Sequence, residues 1–313
     1  MRIGYLAFIF LIIFILPAYP FWVWSPKTGR WVNPKAEIKA NPKQQFDYAR
    51  GLYEAKHYPE AKQQFQRLIK AFPKSLQAAE SQYYLGRIEE EQGNLYEAYL
   101  AYQKVIDKYP FSERIQEIID REYKIAEDFM SGKKRKVFGV NLPVENPALE
   151  IFAKIIENSP YGPKAAAAQY KLGLLLKSLA RYYEAEEAFN KVITNYPESE
   201  WVEAAKFQLA SCRASLSRTP DYDQATTKEA KEMFEEFLKV HPDAVLAKEA
   251  EKNIAYLKEK EAESNYKIAQ FYEKQKQYLS AKIYYSQIID DYPDSLWAVK
   301  AFERLQILEK ERK

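Results

Sequence analysis

Ala185-Glu186-Glu187-Ala188-Phe189-Asn190-Lys191-Val192-Ile193-Thr194-Asn195-Tyr196-Pro197 decides the fold. Its apolar positions Ala185, Phe189, Val192 and Ile193 fall at i, i+4, i+7 and i+8, one face of a helix. The proline ends that helix, because it lacks an N–H and restrains the residue before it. Five other prolines close the same pattern: Pro73, Pro110, Pro160, Pro242 and Pro293. Twelve residues before them stand Ala61, Ala98, Ala148, Ala230 and Ala281; eight before stand Phe65, Tyr102, Phe152, Phe234 and Tyr285. The pairs Leu68-Ile69, Val105-Ile106, Ile155-Ile156, Phe237-Leu238 and Ile288-Ile289 complete the copies. Self-similarity of this kind predicts stacked supersecondary units, and a function of holding other proteins rather than doing chemistry.

A second signature precedes the first. Twenty-four residues before four of the prolines lie the small residues Ala49, Gly86, Gly173 and Ala269, each three residues after an aromatic: Phe46, Tyr83, Tyr170 and Tyr266. These spacings predict two helices per unit, with small residues letting them approach and rings filling the space beside them. Ser75, Ser112, Ser199 and Ser295 follow prolines by two residues and are placed to cap the next helix. Small, large and terminal proline in this order resemble the tetratricopeptide repeat, a helix-turn-helix of about 34 residues. The expected fold is therefore all-α: a superhelical array of about six tetratricopeptide-like helix pairs closed by a C-terminal capping helix, Leu296 to Glu309.

Successive prolines are 37, 50, 37, 45 and 51 residues apart, so the longer steps carry insertions. Ser131 to Pro143 holds glycines and a proline and predicts a loop, its Lys133-Lys134-Arg135-Lys136 run solvated. Ser217 to Asp223 predicts a second loop. From Ala244 to Gln275 nothing breaks a helix, which predicts one helix of about 30 residues. The resulting division is 1–20 signal or anchor, 21–41 Trp-rich linker, 42–200 N-terminal repeats, and 201–313 C-terminal repeats with the cap.

Composition excludes other classes. Lys plus Arg number 47 and Asp plus Glu 44, a net charge of +3, with no basic stripe for nucleic acid. Nine glycines in 313 residues argue against a β-rich fold. Cys212 is the one cysteine, which reads as a small core residue. His57 and His241 with a single cysteine make no metal cluster. His241 occupies the place that Phe72, Tyr109, Tyr196 and Tyr292 hold in other units, and so reads as a structural ring. No Ser/His/Asp set and no phosphate-cradling glycine loop occur, so no enzyme activity and no cofactor are expected. Glu89-Glu90-Glu91 reads as a solvated face.

Residues 3 to 16 carry no charge and follow Arg2, the form of a secretory signal. Leu16-Pro17-Ala18 offers a cleavage site, and a retained anchor is the alternative. Either places the repeats outside the cytoplasm. Trp22, Trp24 and Trp31 then surround a Ser25-Pro26-Lys27-Thr28-Gly29 turn. Three readings stay open: a small hairpin, a membrane-interface element beside Lys27 and Arg30, or a tether.

From Ala225 to Leu305 the chain resembles outer-membrane assembly factors of the BamD type. The matching words include Ala230, Phe234, Phe237-Leu238 and His241-Pro242. They continue with Glu263-Ser264-Asn265-Tyr266-Lys267-Ile268-Ala269-Gln270-Phe271-Tyr272, Tyr278-Leu279-Ser280-Ala281-Lys282 and Asp291-Tyr292-Pro293-Asp294-Ser295. The resemblance implies an envelope protein at the periplasmic face of the outer membrane. It also implies a BamA-like barrel insertase and unfolded barrel proteins as partners, with no nucleic acid and no small-molecule substrate. The C-terminal repeats would meet the insertase, through Tyr266, Gln270, Glu273 and Lys274. The N-terminal repeats would meet the substrate. There Phe46, Arg50, Tyr53, Tyr83 and Arg87 suit an extended peptide ending in a ring and a carboxylate, since arginine pairs a carboxylate in bidentate fashion. Family members carry a lipid-bearing cysteine directly after the signal, and no cysteine stands there in this sequence. The rival expectation is another periplasmic repeat scaffold, such as a Tol-Pal or peptidoglycan-associated coordinator.

Overall fold

The computed structural model describes residues 23–26, 29–32, 38–137, 140–141, 145–217 and 224–310. The signal segment 1–20, Trp22, and all of the 217–223 loop except Ser217 lie outside the described residues. In chain order the elements are β1 (Val23–Ser25), β2 (Arg30–Val32), α1 (Pro42–Glu54), α2 (Tyr58–Ala71), α3 (Leu76–Glu91), α4 (Leu95–Lys108) and α5 (Ile115–Met130). Next come β3 (Lys136–Val137), β4 (Val140–Asn141), α6 (Ala148–Asn158), α7 (Ala165–Ser178), α8 (Tyr182–Asn195) and α9 (Trp201–Leu216). The last four are α10 (Gln224–Val240), α11 (Ala247–Lys274), α12 (Tyr278–Asp291) and α13 (Leu296–Lys310). Among the described residues α1–α2, α5–α6, α7–α8, α9–α10 and α11–α12 pack as tetratricopeptide-like pairs, with α13 after the last. The expected loop at Ser131 contains the small antiparallel hairpin β3–β4, and β1–β2 forms another.

Both repeat signatures lie where the pattern requires. Ala61, Ala98, Ala148, Ala185, Ala230 and Ala281 are fully buried, as are Phe65, Tyr102, Phe152, Phe189, Phe234 and Tyr285. The residue before five of the prolines leaves the helical region: Phe72, Tyr109, Tyr196 and Tyr292 have φ near −132° and ψ of 53–58°, and Ser159 has φ −145° and ψ 66°. Each still donates its N–H to the carbonyl four residues back, so the helix closes before it stops. Ser75 and Ser295 then accept the N–H of Ala78 and Ala298 at 3.1 and 3.0 Å. Ser112 and Ser199 accept from Arg114 and Trp201 at 3.2 and 3.3 Å. Gly173 shows why one of the small positions is the smallest: a methyl there would lie 2.6 Å from Cε1 of Phe189.

The chain divides into two compact units, residues 1–88 and 89–313, at a point inside α3. In the first, α1 packs on α2, and Ala49, Ala61, Phe65 and Leu68 are wholly enclosed. In the second, each helix from α4 to α12 packs on its successor. Three successive parts of its core centre on Phe189, Phe234 and Tyr285. Cys212 is sealed in the first of these, and burial pushes its thiol up to about 11. His241 lies tilted against Phe237 with centroids 5.4 Å apart, as a structural ring.

Candidate functional site

The turns inside four helix pairs share one geometry. Lys56, Gly93, Ala180 and Lys276 have φ of 59°, 76°, 57° and 59°. Each lies 17 residues before its proline. Each N–H reaches the carbonyl three residues back, at 2.8–2.9 Å. The next N–H (His57, Asn94, Arg181, Gln277) reaches the carbonyl five back, at 2.8–3.0 Å. This is the Schellman closure. It fixes the angle between paired helices and so the faces they present.

A second recurring link joins neighbouring pairs. Residues 31 apart meet: Tyr53 with Tyr84, Glu90 with Arg121, Lys177 with Gln208, and Glu273 with Arg304. Where the buried ring of the second helix is tyrosine, its hydroxyl joins the link. Tyr102 donates to Glu90 at 2.6 Å, and Tyr285 donates to Glu273 at 2.9 Å. Glu89 is buried and accepts from Nδ2 of Asn94 at 3.0 Å. The acidic run 89–91 is thus not a uniformly solvated face: two of its members hold the α3–α4 turn and the next helix. Lys260 on α11 is likewise buried, its ammonium donating to the carbonyl of Ser217.

The five residues expected to line a peptide groove are spread between core and surface. Tyr83 is 2% exposed and Phe46 is 9% exposed, so their rings serve packing. Phe46, Tyr53 and Phe65 gather round Tyr84, with centroids 5.0–5.6 Å from it. Arg87 reaches the Tyr83 hydroxyl at 3.3 Å. Arg50 is the most accessible of the five and pairs with Glu54 at 3.3 Å, a surface bridge that solvent keeps weak. Tyr84, outside the five, is the centre of this cluster. Its position, 31 residues after Tyr53, was the available signal.

The four residues expected to meet a partner divide similarly. Tyr266 is buried between Tyr285 and Trp297, at 5.3 and 5.1 Å. Glu273 holds Arg304 and Tyr285. Burial pushes the Glu273 carboxyl up, but those two hydrogen bonds outweigh it and leave it below the usual range. Gln270 and Lys274 are exposed on α11. Beyond them the α11–α12 turn opens on a 640 Å³ groove lined by Lys276, Gln277, Tyr278, Leu279, Lys282 and Leu308. Leu279 and Ile283 on α12, and Val299 and Phe302 on α13, stand more than half exposed. Val299 and Phe302 are apolar residues of the capping helix and would be expected to close the stack, but they face away from it, while Leu308 is buried.

Helix pairs closed by Schellman turns, zipped by alanine and a buried ring and ended by proline, define a tetratricopeptide-type repeat protein. The tetratricopeptide repeat model matches residues 46–113. The chain belongs to the YfiO family, whose model, described as outer membrane lipoprotein, matches residues 145–313. No curated protein matches the sequence. Similar solved structures include the C-terminal part of a tetratricopeptide repeat-containing protein from Cytophaga hutchinsonii. It is 20% identical, with 83% of this chain and 87% of that one covered and a TM-score of 0.35. A tetratricopeptide repeat protein from Parabacteroides merdae is 14% identical over 86% and 98%, with a TM-score of 0.36. MamA from Desulfovibrio magneticus is 15% identical over 67% and 99%, with a TM-score of 0.33. No described helix is long and apolar enough to cross a membrane.

Proposed function

We propose that this chain is a non-enzymatic scaffold of the outer-membrane β-barrel assembly machinery, working at the periplasmic face of that membrane. The observation that carries the reading is the YfiO match, which covers the repeats from α6 to the C-terminus. Exposed Gln270 and Lys274, the groove beyond them and the apolar residues of α12 and α13 supply a surface of the right kind. Rings and aliphatic side chains give binding area, and the charged rim gives register. In this reading the C-terminal repeats hold a BamA-like insertase. Tyr266 and Glu273 act from beneath, by holding α11 against α12 and α13. The 1–20 segment exports the chain, 21–41 links it to the repeats, and the repeats on either side of residue 200 divide substrate from insertase.

A photo-crosslinking amino acid placed at Gln270 or Lys274 in living cells tests this. The expected product is an adduct with the barrel insertase. An adduct with a Tol-Pal or peptidoglycan-bound protein instead redirects the scaffold to that rival role. For substrate, Arg50 and Arg87 with the open side of Tyr53 receive the C-terminal end of an unfolded barrel. A peptide ending in phenylalanine should bind the Arg50→Ala, Arg87→Ala double variant about tenfold more weakly than the parent, given two charge-assisted bonds lost. Equal affinities remove the arginines from the site.

A further inference from the structure

We infer that the β1–β2 hairpin is a membrane-contact element, seating Trp24 and Trp31 in the headgroup layer of a phospholipid bilayer. Trp24 and Trp31 are cross-strand partners in the antiparallel register. Directly opposed residues share one face of a hairpin. Their rings meet edge to face, with centroids 5.9 Å apart. Both remain open to solvent, Trp24 at 49% and Trp31 at 62%. Two such strands of three residues form a two-stranded sheet, below the size that is stable by itself in water. A surface that accepts indole would hold it, and the lipid–water interface is where tryptophan concentrates, its ring half in hydrocarbon and its N–H wet.

Chain length says what that surface is. The uncharged run 3–16 ends at Leu16, eight positions before Trp24. Eight residues reach at most about 29 Å. Retained as an anchor, a run of that composition enters a bilayer and delivers the hairpin to the interface. Lys27 and Arg30 lie within the same short stretch and favour anionic headgroups. The family is described as lipoproteins, yet the one cysteine of this sequence is sealed in the core of the α7–α9 region, where no acyl chain can be attached. The inference rests on the envelope reading above, but not on the identity of the partner.

The run 3–16 would hold any variant on a vesicle, so vesicle binding alone is not the readout. Full chain and its Trp24→Ala, Trp31→Ala variant are reconstituted into phosphatidylcholine–phosphatidylglycerol vesicles, with and without bromine on the upper acyl chain. The difference between their emission spectra isolates the two indoles. The expected difference emission is blue-shifted, shielded from acrylamide and quenched about twofold by the brominated lipid. Difference emission like that of indole in water, fully open to acrylamide, overturns the proposal. A Trp24→Phe, Trp31→Phe variant keeps the ring pair and, with helical circular dichroism, guards against misfolding. It should show the same loss of shielded emission. Capture of the insertase in detergent by either variant scores the partner reading separately.

Discussion

At the scale of the residue, Glu122 is the group whose burial has the most direct consequence. It is fully enclosed on α5 and accepts both Nε2 bonds of Gln103 at 2.9 Å. Gln103 in turn accepts from Nδ2 of Asn158 at 3.1 Å. Burial pushes the Glu122 carboxyl up to about 8; the Gln103 bonds oppose the rise and Asp107 adds to it. The folded state therefore keeps a proton that the unfolded state releases near the ordinary carboxylate pKa. The stabilisation is complete below that ordinary value and is lost as pH rises through about 8. Gln45 and Gln169, which stand before Phe46 and Tyr170 as Glu122 stands before Tyr123, are buried and carry no charge. Glu122→Gln is expected to raise the urea midpoint at pH 9, by about 1 kcal/mol or more in stability, with little change at pH 5. Equal gains at both pH values would mean that ionisation is not the cause. The sequence gives no sign of this buried carboxylate, because an acid on a helix is solvated by default and only packing reveals otherwise.

At the scale of the element, the four Schellman turns were invisible in the sequence although they recur at a fixed offset. Only Gly93 has the residue type that announces a left-handed turn; Lys56, Ala180 and Lys276 adopt the same φ with a Cβ attached. Non-glycine residues pay for that region. Ala180→Gly is accordingly expected to stabilise the chain by about 0.5–1 kcal/mol, the relief of the left-handed strain outweighing the added freedom of the unfolded state. Thermal unfolding followed at 222 nm checks it, and a lower midpoint would show that the turn carries no strain. The helices themselves were legible, and for a plain reason. Proline, alanine and ring act within one helix turn or across one helix contact, so their spacing is local. The 31-residue links are not local. Glu273 looked available to a partner because nothing in the sequence placed Arg304 opposite it. Tyr266 looked available because its burial depends on Trp297, one helix further on.

At the scale of the whole molecule, the second unit is a run of repeats whose internal links leave only some side chains for partners. Stability in such chains is a sum over neighbours, so a partner that bridges several helices adds to it directly. Fold class was readable because six copies of one pattern agree. The working surface was less so, because exposure is decided by which copy stands beside which. Gln270 and Lys274 kept the accessible positions expected of them, while Phe46 and Tyr83 went to the core. Titration of the full chain with the purified periplasmic domains of the insertase tests the central claim most directly. Saturable binding is expected, weakened about tenfold or more by Lys274→Glu combined with Leu279→Ala. Absence of saturable binding with the insertase domains at about 100 μM, a concentration that detects even weak complexes, or equal affinity for parent and variant, would contradict it.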